Sequence, residues 1–205
     1  MTLKLMGSSS GSTSIEAPAS GSDRTITFPD ATGTVDTTGR AGNILQVVEN
    51  KIQAYSSQLL GPTFADTPGF SITITPQSST SKIYLMCMVN FVNISQHFGF
   101  RVIRKVSGAS DTVPTGWVGN TVGSRVASLS GNCYAIGYNG GDSNSPISMN
   151  IIDADHATTN AITYQMQAHN SNNNYYVYLN GSANDTDATY TYRAVSTFIA
   201  MEIAV

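Results

Sequence analysis

The feature that most constrains this chain is a hydrophobic period of two. Phe70, Ile72 and Ile74 alternate with Ser71, Thr73 and Thr75. The pattern returns at Phe98, Phe100 and Val102, at Ile147, Met149 and Ile151, and at Ile162, Tyr164 and Met166. Thr197, Ile199, Met201, Ile203 and Val205 carry it to the last residue. Successive side chains of a strand point to opposite faces, so each segment offers one face to a core and one away from it. The segments are short and are separated by turn-forming residues, as at Pro76, Asn170 to Asn174 and Asn180 to Asp187. No convincing amphipathic helix follows Ile44. The expected fold class is all-β: an antiparallel β-sandwich or jelly roll.

Individual segments sharpen this. Lys82 to Val92 is apolar on both faces, with Ile83, Leu85, Cys87, Val89 and Phe91 on one and Tyr84, Met86, Met88 and Val92 on the other. Such a strand is expected to be central and covered twice, either by a second sheet and another subunit or by loops. Ile44 to Val48 has the spacing of a helix, but its β-branched content reads as strand, running on towards Tyr55. Thr112 to Ala127, around Trp117, reads as one or two bent strands, and Tyr134 to Tyr138 as a short one. Tyr175, Val177 and Leu179 read as the hairpin partner of the strand before them. Tyr190 and Tyr192 begin the last segment, whose apolar end is expected to lie in a central strand.

Composition separates the first forty or so residues from the rest. Only 11% of the chain is charged, and Ser, Thr, Asn and Gly make up roughly two-fifths of it. Residues 7–14 read GSSSGSTS, and the apolar pieces that follow, up to Pro18 and Pro29, each stop at a proline. The chain therefore divides into an extended β arm, residues 1–43, and a globular head, residues 44–205. The arm strands are too short to fold alone and need a partner. Net charge is −3 with no basic run, so nucleic acid is not an expected partner. No stretch approaches the ~18 apolar residues of a membrane span, and no signal peptide is expected. Cys87 and Cys133 read as reduced core residues of a protein assembled in a cytoplasm.

Chemistry is sparse. Residues 7–11 match G-x-S-x-G, but that elbow needs a strand before it and a helix after it. No zinc spacing, P-loop or dinucleotide fingerprint occurs, so neither a metal nor another cofactor is expected, and no catalytic residue. Asp153, Asp155 and His156 form the most ligand-like cluster, weighed against an ordinary polar loop. Trp117, set among glycines, is the aromatic residue best placed to meet a ligand. Aromatic rings with Asn and Asp nearby can hold sugars, although strand aromatics also pack cores and interfaces. Trp117, Asp153, Asp155 and His156 are thus the candidate receptor-binding residues.

Two regions carry a family resemblance. Residues 3–8 (LKLMGS), 11–18 (GSTSIEAP) and 24–35 (RTITFPDATGTV) resemble the leader of fibre-type structural proteins of tailed phages, notably those of cyanobacteria and marine bacteria. Residues 44–48 (ILQVV), 70–76 (FSITITP), 81–85 (SKIYL) and 196–204 (STFIAMEIA) resemble their distal domain. The resemblance implies a non-enzymatic virion protein, commonly a homotrimer, whose jelly-roll head is similar in outline to tumour-necrosis-factor-type trimers. A fibre subunit would contact the host surface, with a glycan as one receptor class. A capsid decoration protein is the alternative. No large N-terminal anchor is expected, so attachment to another virion protein would use the leader, through Leu3, Leu5, Ile15, Ile26 and Phe28.

Overall fold

The computed structural model describes residues 2–6, 9–16, 21, 40–93, 98–132, 145–171, 175–189 and 191–205. Contacts divide the chain into two units, Met1–Val35 and Asp36–Val205. In the first, β1 (Thr2–Met6) and β2 (Ser12–Glu16) pair antiparallel, with Leu3 opposite Ile15 and Leu5 opposite Thr13. Leu5 and Met6 are exposed on this ribbon. Ile26 and Phe28 lie outside the described residues.

The second unit is an antiparallel β-sandwich, and its described residues contain no helix. The smaller sheet runs β5 (Ala65–Ile74), β10 (Ile162–Asn170), β7 (Phe98–Val106) and β8 (Ser130–Asn132). The larger runs β3 (Ile44–Ile52), β12 (Ser196–Ile203), β6 (Lys82–Asn93), β11 (Tyr175–Leu179) and β4 (Ser56–Leu60). Strand β9 (Ser145–Asp153) pairs along the other edge of β6. The last segment is internal, as its apolar pattern demands: β12 is hydrogen-bonded to both β3 and β6.

The inward faces meet in one core. Ile83, Leu85, Cys87, Val89 and Phe91 of β6 pack with Phe198 and Ala200 of β12 against Ile72, Ile74, Ile162, Tyr164, Met166 and Phe100. Phe91, Phe98 and Phe100 form an aromatic cluster with centroid separations of 4.6 to 5.6 Å, which joins the two sheets. Cys87 is a free thiol in this core, and burial pushes its pKa up to about 12.

Strand β5 carries a wide bulge. Gln165 faces Ser71 and Gln167 faces Asp66, so Thr67, Pro68, Gly69 and Phe70 together oppose Met166. Gly69 has φ +78°, a left-handed backbone that a β-carbon would strain. The Gln165 amide closes the bulge by donating to the carbonyl oxygens of Thr67 and Phe70 (2.9 and 3.2 Å). Asn50 of the other sheet donates to those of Gly69 and Ser71 (3.1 and 2.8 Å).

The two outer faces of the sandwich differ. On the smaller sheet, Asp66 binds Lys105 (2.6 Å) and Gln167 (2.7 Å), Arg101 donates to Gln167, and Thr73 meets Thr163. That face is polar and internally paired. On the larger sheet, cross-strand register lines up Val47, Met201, Tyr84 and Ile152 in one row, and Ile199 beside Met86 in the next. Val47 (57%) and Ile152 (53%) are exposed, and Met88, paired with Thr197, is 38% exposed. Among the described residues, the second apolar face of β6 is therefore only partly covered.

Three expectations change. Residues 112–127 form turns rather than strands: Thr112 makes an isolated bridge to Arg104, and Gly116 and Gly123 adopt φ +86° and +61°. Strand β11 pairs with β4 and β6, not with the preceding β10, because β10 already has β5 and β7 on its two edges. The final strand starts at Ser196, and Tyr192 lies exposed in the loop before it. Cys133, residues 134–138 and Tyr190 lie outside the described residues.

Candidate functional site

The site is built at the end of β9. This strand pairs only with β6 among the described strands and carries Pro146, a residue that central strands exclude. Its last residue, Asp153, is 1% exposed. Burying a carboxylate is costly unless its oxygens are matched. Arg104 Nη1 lies 2.8 and 3.0 Å from the two oxygens, the Tyr164 hydroxyl donates at 2.8 Å, and the Asp155 backbone N–H at 3.2 Å. Arg104 and Tyr164 face each other across β7 and β10, so the cross-strand register brings both to Asp153. Burial, and then the Asp153 charge, push the Tyr164 phenol well above its ordinary pKa, which keeps it a donor.

Trp117 is held above this group. The Arg104–Thr112 bridge ties the connecting segment to β7, and a turn places the Trp117 N–H on the Pro114 carbonyl oxygen (3.1 Å). The indole is 5% exposed and packs on Tyr164, with centroids 6.0 Å apart. Beside it opens a cleft of about 520 Å³, within the range of small-ligand sites. Trp117 and Ile151 lie among its lining, with Tyr84, Asn150 and Ile152 from the outer side of β6 and β9, Thr115 and Gly116 from the turn, and Asp153 to Asp155 from the end of β9.

His156 does not reach this cleft. It is buried on the far side of the loop, with Nε2 2.8 Å from the Ser81 carbonyl oxygen and Nδ1 3.0 Å from that of Thr158. Ser81 leads to a second buried carboxylate, Glu202 of β12. Glu202 accepts from the Ser81 hydroxyl (2.6 Å), the Gln46 amide and the backbone N–H groups of Gln77 and Ser78. Burial works to raise its pKa, but these hydrogen bonds outweigh that and hold the carboxyl below its ordinary 4.5. Ser81 and His156 adjoin a carboxylate, yet both are buried and their polar atoms are spent on this cage. The arrangement fastens the turn between β5 and β6 and offers no nucleophile to solvent.

The sequence candidates thus separate by role. Asp153 borders the cleft but has both oxygens engaged, His156 belongs to the Ser81 cage, and Trp117 and Asp155 line the cleft as well. Tyr84, Thr115 and Asn150 were not singled out as site residues from sequence. The signal for Tyr84 was its outward position on β6. That for Asn150 was its polar place between Met149 and Ile151.

No known protein family matches the chain, and no curated protein does. Among solved structures it is similar to that of the Gt strain of infectious bursal disease virus, at 13% identity and a TM-score of 0.43, covering 98% of this chain and 46% of that one. The VP2 subviral particle of the same virus gives 13% identity and a TM-score of 0.38, covering 92% and 42%. The chain spans less than half the length of these matched chains. At such values the likeness assigns neither a family nor an activity.

Proposed function

We propose that this chain is a structural subunit of a phage particle, a fibre protein that assembles as a homotrimer and contacts the host surface. The leader and head resemblances support the virion reading. One observation carries the assembly: the contrast between the two outer faces of the sandwich. The polar face pairs its own charges and is suited to water. Among the described residues, the larger sheet's face presents Val47, Met86, Met88, Ile199 and Met201 for such a contact, with charges only towards its margins, at Glu49, Lys51 and Lys82, and leaves Tyr84 and Ile152 on its β9 side to the cleft. Apolar surface of this extent on a soluble chain marks an interface, and copies of the same chain meeting around a closed axis are the simplest cover.

The test is the mass of the purified full-length chain in solution. Three times the chain mass at micromolar concentration is the expected result, and a stable monomer overturns the assembly. Copy number on the particle then assigns the place: tens of copies fit a fibre, and hundreds fit shell decoration.

A further inference from the structure

The cleft at the end of β9 has free polar groups around an apolar floor. Among the described residues, the Tyr84 and Thr115 hydroxyls, the Asn150 amide, the Asp155 carboxylate and the Trp117 indole N–H make no hydrogen bond. They mix donors and acceptors, and their residues line the cleft together with the apolar Ile151 and Ile152. A purely apolar ligand would strip water from these groups without replacing it. An anion would meet the uncompensated charge of Asp155, since Arg104 is already committed to Asp153. A hard cation is favoured by several converging carboxylates, and Asp155 is the one free carboxylate of the lining, with no group of three or more His, Cys, Asp or Glu placed to hold a metal among the described residues.

We infer that this cleft binds a neutral glycan. A pyranose ring pairs hydroxyls, each donor and acceptor, with apolar C–H faces, and so matches both kinds of surface in the cleft. The Asp153–Arg104–Tyr164 group holds the walls rigid, which lowers the ordering cost of binding. Asp155 selects against sialylated and uronate-bearing sugars. The assignment deepens the host-contact reading and rests on it, while the site chemistry stands on the cleft alone.

Trp117 is the sole tryptophan of the chain, so its fluorescence reports on this cleft directly. The experiment titrates the full-length protein with neutral methyl glycosides and oligosaccharides of glucose, galactose, mannose and N-acetylglucosamine, and with sialyllactose and glucuronate oligomers. Saturation-transfer NMR runs in parallel. Saturable binding of at least one neutral sugar is expected, weakened tenfold or more by Asn150→Ala and by Asp155→Ala, both at exposed positions where circular dichroism should be unchanged. Asp155→Asn should narrow the gap between neutral and acidic sugars. No saturable binding by either readout, binding that ignores both alanine variants, or preference for the acidic sugars would overturn the assignment. A trimer that binds no sugar would leave the structural reading intact, and a monomer that binds sugar would sink the assembly alone.

Discussion

At the scale of single residues, two buried carboxylates decide much of the local order. Removing Asp153 leaves Arg104 largely buried without a counter-charge and the Tyr164 hydroxyl without an acceptor. Asp153→Ala should therefore cost about 3–5 kcal/mol, read as a lower urea midpoint at unchanged slope. Glu202 yields a pH-dependent prediction. A carboxyl whose folded pKa is depressed contributes stability above its unfolded value, and that contribution is lost as pH falls through the folded value. Glu202→Gln should cost about 2 kcal/mol at neutral pH, because an amide N–H₂ then faces backbone donors. The gap between variant and wild type should close as pH falls below the ordinary 4.5 and through the lower folded value. A gap that does not narrow as the solution is acidified below 4.5 would contradict this account. The inward position of Glu202 was not legible: alternation marks Ile199, Met201 and Ile203 as the core face of the last segment, whereas the structure buries Phe198, Ala200 and Glu202 and turns that set outward. Nor were its ligands, because they come from a turn more than a hundred residues away.

At the scale of elements, period two says which face a residue occupies but not which strand lies beside it. That is why β5, β6, β9 and β10 could be read from sequence while the partner of β11 could not. The hairpin rule favours the neighbour in sequence, but β10 had no free edge to offer. The segment around Trp117 was misread for a different reason. Its Thr and Val residues favour strand, yet the left-handed backbone at Gly116 and Gly123 breaks the ladder. The β5 bulge supplies a test of how an irregular strand is held. Gln165→Leu keeps the side-chain bulk but removes the donor to the Thr67 and Phe70 carbonyl oxygens, and should cost about 1–3 kcal/mol. Hydrogen exchange should then speed up in β5 before it does in β6. The cleft was half legible: Trp117 and Asp155 stand out in sequence, but Tyr84 reaches Ile152 only through the β6–β9 register.

At the scale of the whole molecule, the described residues finish one outer sheet face and leave the other apolar and part-exposed. Placing charge in the middle of the unfinished face should separate assembly from folding. Met86→Glu with Ile199→Glu puts four like charges per pair of facing copies into the contact, while both side chains point away from the core. Expected is a particle of one chain mass that keeps its β-sheet circular dichroism. An undiminished assembly would place the interface elsewhere.

The position of β12 between β3 and β6 also sets a clock. Val48 and Ala200 are cross-strand partners although about 150 residues separate them. The larger sheet cannot close until those distant segments meet, and so large a loop is entropically slow to form. Refolding should run in milliseconds to seconds rather than microseconds, and throughout that interval β6 would stand with one edge waiting for its neighbour.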